Sequence, residues 1–259
     1  MFDIRGAVAV VTGASSGLGR RFALDMAARG ATVAGIARRQ ELLASLADEM
    51  RRLSPGSSTV TCDVSDTERF VSVLRDIERA HGRVDVLVNN AGTGPPRTDG
   101  EPQLPAYRVV METNYFAVVA GTLAVLPGML ERHHGVVVNV SSDSGRAPSP
   151  HEAAYSASKA ALSAFTESLA FDTEGTGVHL HVLYPGWVPT AMGSGAVEDG
   201  MPMPPRIVRR TEEQVSQLVL SRMGGPKLDI DAAPIARLAP VGRALFPAAY
   251  RKGVRKASG

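Results

Sequence analysis

Short apolar runs rich in valine alternate along this chain with longer segments of helical period. The runs are Ala7–Val11, Ala31–Ile36, Ser58–Cys62, Val84–Val88, Gly135–Val140 and Val178–Leu183. Between them lie Leu18–Arg29, Gln40–Leu53, Thr67–His81, Leu104–Arg132 and Ala153–Glu174, each long enough for a helix. The runs are apolar throughout instead of alternating with polar residues. They therefore predict strands buried on both faces, which a parallel sheet covered by helices requires. The rhythm predicts repeated βαβ units with no repeat of fixed period and no linker before residue 190.

Two segments break the rhythm. Residues 92–105 carry four prolines after the fourth run, and residues 193–206 are rich in glycine and proline after the sixth. Ligands of open α/β sheets bind beyond the carboxyl ends of the strands. Both segments are therefore candidates for substrate contact, with a substrate lid expected over 190–210. Met192, Met201, Met203, Ile207 and Val208 give that lid an adaptable apolar surface, which points to a bulky, mainly apolar substrate. The alternative is that these methionines only pack a short helix against the body.

A glycine-rich turn, Thr12-Gly13-Ala-Ser15-Ser16-Gly17-Leu18-Gly19, follows the first run and opens a helix. Such a turn brings backbone close to a pyrophosphate and presents helix N–H groups to it. With the alternating pattern it predicts an α/β fold: a single Rossmann-type doubly wound parallel sheet flanked by helices, one nucleotide-binding domain over 1–259. At the end of the second run an acid would select NAD. The chain instead reads Ala37-Arg38-Arg39, and a guanidinium fork can grip a 2′-phosphate, so NADP(H) is the expected cofactor. The plainer account of both arginines is a solvated helix start.

The composition, 44% hydrophobic and 21% charged, is that of an ordinary folded protein. The lone cysteine, Cys62, permits no internal disulfide and suits a reducing compartment. No stretch of about 18 or more apolar residues without charge is evident, nor room for a secretory leader, so a cytoplasmic location is expected. The formal net charge of +2 conceals an asymmetry. The C-terminal extension 232–259 holds six basic residues and no acid, which leaves 22 basic against 26 acidic before it. A nucleic-acid surface on the body is therefore not expected. In the tail, Leu238, Val241, Leu245 and Phe246 fall at near-helical intervals among Arg243, Arg251, Lys252, Arg255 and Lys256. The tail has two readings: peripheral contact with an anionic membrane, or packing across the sheet edge or a dimer partner. His133 and His134 fit a helix exit, and no acid cluster accompanies His179 and His181, so no metal is expected.

The ordered set of the glycine turn, Asn89-Asn90-Ala91-Gly92, Ser142 and Tyr155-Ser-Ala-Ser-Lys159 resembles the short-chain dehydrogenase/reductase family. Asp63-Val64 and Pro185-Gly186-Trp-Val188-Pro-Thr190 extend the resemblance, which runs from about residue 5 to 190. It implies hydride transfer between NADP(H) and a small-molecule carbonyl or secondary alcohol, with Asn114, Ser142, Tyr155 and Lys159 as the catalytic group. It implies that Asp63 and Val64 contact adenine and that Asn90, Ala91 and Gly92 lie against the cofactor. Thr190 would hold the carboxamide, with Pro185, Gly186 and Val188 alongside. Lys159, four residues after Tyr155 on one helix face, is expected to lower the phenol toward working pH. Asn114 is expected to hold a water beside Lys159. The family's commonest C-terminus, a strand with a Gly-Gly turn, is not evident, so a homodimer is expected in place of a tetramer. A protein of this fold that keeps the cofactor as a sensor or scaffold, without turnover, is the alternative; it would be expected to lose Tyr155 or Lys159.

Overall fold

The computed structural model describes residues 2–94, 103–198 and 203–258. Seven strands form one parallel sheet: β1 (Val8–Thr12), β2 (Thr32–Ala37), β3 (Ser58–Thr61), β4 (Val86–Asn89), β5 (Gly135–Val140), β6 (Val178–Tyr184) and β7 (Asp229–Asp231), in the order β3-β2-β1-β4-β5-β6-β7. Helices α1 (Gly17–Ala28), α2 (Gln40–Leu53) and α3 (Thr67–His81) follow the first three strands. A long helix after β4 comprises α4 (Leu104–Met111), a π-helical turn (Glu112–Phe116) and α5 (Ala117–Glu131). The short α6 (Asp143–Arg146) and the twenty-residue α7 (Ala153–Asp172) follow β5. Then come α8 (Ala191–Glu198) and α9 (Glu212–Arg222) before β7, and α10 (Leu238–Leu245) and α11 (Pro247–Ser258) after it.

The sheet is a doubly wound α/β fold because its central strands are apolar on both faces. One core cluster packs Phe22, Met26, Leu46 and Met50 of α1 and α2, with Val215 and Val219 of α9, against one side. The other packs Phe70, Leu74, Ile77, Val125 and Met129 of α3 and α5 against the opposite side. Burial of side chains of this size contributes about 1.5–3 kcal/mol each.

Two expectations need correction. The uncharged run Thr113–Leu130 lies within a helix, Leu104–Glu131, that is long and apolar enough to cross a membrane by length and composition alone. It is also a core helix, since Val118, Gly121, Val125 and Met129 are buried in the protein. A seventh strand, not among the predicted runs, is present as well, although no Gly-Gly turn follows it and the chain runs on into the tail. β7 follows the Gly224-Gly225 turn and pairs with β6, but its apolar signal is the single buried residue Ile230 between two aspartates.

Candidate active site

Strand order reverses between β1 and β4, and one threonine ties the two strand ends together. Thr12 Oγ1 accepts the backbone N–H groups of Asn90 and Ala91, both at 3.0 Å, and donates to the Val88 carbonyl at 3.3 Å. Asn90 Nδ2 returns a bond to the Thr12 carbonyl at 3.0 Å. This clamp leaves no room for a side chain at Gly13 or Gly19. A Cβ on Gly19 would stand 2.4 Å from the Gly13 carbonyl oxygen, and one on Gly13 would stand 2.8 Å from Asn90 Nδ2. The turn thus brings bare backbone to the N-terminus of α1.

Arg39 closes over the same turn. Its guanidinium donates to Ser15 Oγ at 2.8 Å and to Ser16 Oγ at 2.6 Å, so neither hydroxyl caps α1. The free N–H groups of the first helical turn and this guanidinium form an anion-binding donor set suited to a dinucleotide phosphate. Arg38 is mostly exposed and pairs with Asp63 at 3.6 Å. Asp63 also accepts from the backbone and hydroxyl of Ser65, which with Arg38 hold its carboxyl below the usual range against the effect of burial. Val64 is buried in the core. Thr190 stands across from the turn: its Cγ2 lies 3.1 Å from where a Gly17 Cβ would be. Pro185, Gly186 and Val188 form the segment leading to it; Gly186 takes a positive φ of 68°, and the Val208 carbonyl leaves no space for a side chain there.

The second half of the site comes from the end of β5 and the start of α7. Ser142 accepts from the Ser144 N–H at 3.2 Å and stands by Tyr155, whose ionised form it favours. Ser141 points elsewhere, to Ser163 Oγ at 2.8 Å and the Lys159 carbonyl. Lys159 Nζ donates to the Val140 carbonyl at 2.7 Å and lies 5.8 Å from the centre of the Tyr155 ring. The expected lowering of the phenol is not what the chain alone produces. Burial pushes Tyr155 up to about 12, opposed by the Ser142 bond and reinforced by Glu152 and Asp143. Burial brings Lys159 down to about 8. At this separation the desolvation of the phenol outweighs the ammonium.

Asn114 sits fully buried in the π-helical turn, a distortion often found at functional sites. Its Oδ1 accepts from the Thr93 N–H at 2.8 Å, and its Nδ2 donates to the Thr93 carbonyl at 3.0 Å and to Ser158 Oγ at 3.1 Å. Both amide hydrogens are therefore engaged by protein, and only one lone pair on Oδ1 remains for a water. The geometry makes Asn114 a positioning residue that fixes the strand end beside Gly92, where a Cβ would come 3.2 Å from Oδ1 and 3.7 Å from Lys159 Nζ.

Sequence reasoning missed a charged group around this centre. Arg146 stacks on Tyr184, 3.1 Å from the ring centre, and pairs with Asp229 at 2.6 Å and with Asp231. Glu152 accepts from Ser144 Oγ at 2.9 Å. Asp143 packs beside them, and its Oδ1 is buried with no hydrogen-bond partner among the described residues. Burial raises its carboxyl to about 6, partly offset by Arg146 and increased by Asp231. Three of these acids lie on β7 or next to Ser142, so only knowledge of the seventh strand could have assembled the group. A buried chain from Asn89 through Asn139 to Thr166, with bonds of 2.9 Å, was likewise invisible; it joins β4, β5 and α7. His181 is a satisfied core residue, with Nε2 accepting from Gly224 N–H and Nδ1 facing the Lys227 carbonyl, each at 2.9 Å.

The segment 190–210, where a lid is expected, is described at 190–198 and 203–210. Met192, Met203 and Ile207 are exposed, and Met201 lies outside the described residues. Its base is fixed where Trp187 donates its backbone N–H to the Val208 carbonyl at 3.0 Å and accepts from the Arg210 N–H at 2.8 Å.

Residues 7–200 match the family model for short chain dehydrogenases. A short chain dehydrogenase of Pseudocercospora fijiensis is 41% identical over 194 residues, 74% of this chain and 63% of that protein. The chain thus spans less than two thirds of that relative. A short chain dehydrogenase/reductase of Burkholderia phymatum, solved in complex with NAD, superposes with a TM-score of 0.81 at 26% identity, over 94% of this chain and 95% of that one. A variant of actinorhodin polyketide ketoreductase solved with NADPH superposes with a TM-score of 0.79 at 30% identity, over 89% of this chain and 97% of that one.

Proposed function

The chain belongs to the short-chain dehydrogenase/reductase family, and from that premise we propose that it is an NADP(H)-dependent oxidoreductase that reduces a bulky, mainly apolar ketone to its secondary alcohol. The observation that carries the reading is the convergence of Ser142, Tyr155 and Lys159 on the strand ends that also bear the Gly13–Gly19 turn. The alternative of a sensor without turnover would be expected to have lost Tyr155 or Lys159.

When bound, the nicotinamide supplies or accepts the hydride. The groups that would hold the cofactor are Gly13, Ser15, Ser16, Gly17, Leu18 and Gly19, Arg38 and Arg39, Asp63 and Val64, Asn90 to Gly92, and Pro185, Gly186, Val188 and Thr190. Arg39 over the turn and Arg38 at the end of β2, with Ala37 where an acid would select NAD, support the phosphorylated cofactor. Ser142 orients the substrate oxygen, and Tyr155 delivers a proton to it. A phenol held near 12 keeps its proton at neutral pH, the form that serves as the acid in reduction. Lys159, charged on most molecules below about 8, stands behind the phenol and stabilises the charge left on it.

The exposed Met192, Met203 and Ile207 at the lid support an apolar substrate. The same reading places the protein in the cytoplasm, consistent with the free buried Cys62, and makes it a homodimer through the exposed Val109, Phe116 and Leu123 of the long helix. Nicotinamide absorbance, followed with NADPH and NADH against ketones of rising size and against polar sugars, tests the assignment. Preference for NADPH and for large ketones is expected. Equal affinity for the two cofactors would remove the NADP(H) assignment, and faster turnover of small polar substrates would remove the apolar one.

A further inference from the structure

The C-terminal extension is folded inside out. On α10 and just after it, Leu238, Val241, Leu245 and Phe246 are the large apolar residues, and they are 61%, 51%, 66% and 67% exposed. The residues less exposed than these are Ala239, Pro240 and Gly242, which bury little. Polar bonds hold the extension down instead: Arg243 donates to the Arg146 carbonyl at 3.1 Å, Tyr250 to the Pro148 carbonyl at 3.4 Å, and Arg237 pairs with Asp229 and Asp231. The apolar face is thus held outward by contacts to the segment that follows Ser142, at the rim of the candidate site.

The lid continues the same face. The Val208 carbonyl and Ala233 Cβ both crowd the Cβ position of Gly186, at 2.7 and 3.1 Å, so the 206–208 turn abuts the root of the extension. Exposed Ile207 and Ile235 lie on these two adjoining segments. The extension itself carries charge of one sign. Residues 232–259 contain six cations and no acid. Of those described, only Arg237 is paired with acids, while Arg243, Arg251, Lys252 and Arg255 form no ion pair among the described residues.

We propose that this face of α10, α11 and the 206–208 turn seats the protein reversibly on an anionic lipid bilayer, with the rim of the site against the membrane. Charge decides between a bilayer and a second copy of the chain: a copy brings the same six cations to the contact, whereas an anionic leaflet neutralises them. Apolar insertion and polybasic attraction are the two signals that together give stable peripheral binding. Docking needs no turnover, so it is read separately from the reductase assignment and can fail or hold without it.

Flotation of the full chain with phosphatidylcholine vesicles, with and without phosphatidylserine, measures the docking directly. Binding is expected only to the anionic vesicles and should weaken with added salt. Leu245→Glu with Phe246→Glu should weaken it at least about tenfold, and so should Arg251→Gln with Lys252→Gln, at about fivefold per cation. Both pairs should melt at the temperature of the unmodified chain. No binding, or equal binding to uncharged vesicles, overturns the proposal. So does a fall in melting temperature with the Leu245/Phe246 pair, which would mean that the face packs on the body. Conversion of a dimer to a monomer by that pair would assign the face to a second copy and overturn it too. The exposed Arg251/Lys252 pair reads the electrostatic half of the docking on its own, and unchanged binding with that pair also overturns the proposal.

Discussion

The turn after β1 and the tail after β7 are built on opposite principles. At the turn, backbone meets backbone: Thr12 bridges two strands, and a Cβ on Gly19 would fall 2.4 Å from a carbonyl oxygen. In the tail, Gly242 and Gly253 have nothing within 4 Å of where a Cβ would stand, and the large side chains face outward. The first region is specified by space that must stay empty, which suits a partner of constant shape. The second is specified by which side chains are left uncovered, which suits a surface that adapts to substrate or membrane.

Tyr155, the proton donor of the candidate site, should show the largest effect. Tyr155→Phe should lower kcat at least about 100-fold, the low end for a general acid, while leaving NADPH affinity intact. Turnover near normal with cofactor still bound would mean that the proton comes from elsewhere.

The contrast between tight and open glycines can be broken with one methyl group. Gly19→Ala must displace backbone and should cost roughly 1–3 kcal/mol, lowering the melting temperature by several degrees. Gly242→Ala, inside α10 with open space around it, should raise stability by about 0.5–1 kcal/mol through helix propensity. Thermal melts of the two variants check this, and equal losses would show that the tail is packed as tightly as the turn.

Much of the first region was legible because tight backbone leaves a sequence trace. The glycine spacing, the apolar strands and the start of α7 at Ala153 follow from residue type alone. The π-helical turn around Asn114 was not legible, since its sequence carries no breaker and the turn packs against α7, which lies far along the chain. β7 was hidden for another reason. Arg146 neutralises Asp229 and Asp231 through space, so a strand flanked by two acids is stable only once the fold brings that arginine over it. Outward-facing apolar residues in the tail also gave a helical period, but period does not say which face is covered.

The two arginines sharpen the boundary of the legible region. Sequence order favours Arg38, the first residue after the strand, as the phosphate grip; geometry puts Arg39 on Ser15 and Ser16 and leaves Arg38 with Asp63. Arg39→Ala should weaken NADPH about tenfold, or 1.4 kcal/mol, and NADH much less. Arg38→Ala should have the smaller effect on NADPH, since Asp63 opposes its charge. Fluorescence titration of both variants with both cofactors decides it, and a larger loss from Arg38→Ala would show that Arg39 only buttresses the turn.

The smallest expected effect lies at Asp143, where the adaptable region meets the catalytic serine. Arg146 is already engaged by Asp229 and Asp231, so Asp143 bears the cost of its own burial and rises to about 6. Between its ordinary value near 4 and about 6, the folded chain holds a proton that the unfolded chain has released. The stability this gives is fully present below about pH 4 and is lost as pH rises through about 6. Asparagine reproduces the protonated side chain without titrating. Asp143→Asn should therefore match the unmodified chain near pH 4 and exceed it by about 1 kcal/mol near pH 8, after allowing for solvent screening of a partly exposed group. The same change removes one of two acids that raise Tyr155, so any oxidation of alcohol should reach its plateau at a lower pH. Denaturant melts at the two pH values test the first point. A variant less stable than the unmodified chain at about pH 8 would mean that Arg146 holds Asp143 as an ion pair after all, and that the charge group at the rim is a closed network with no strained acid in it.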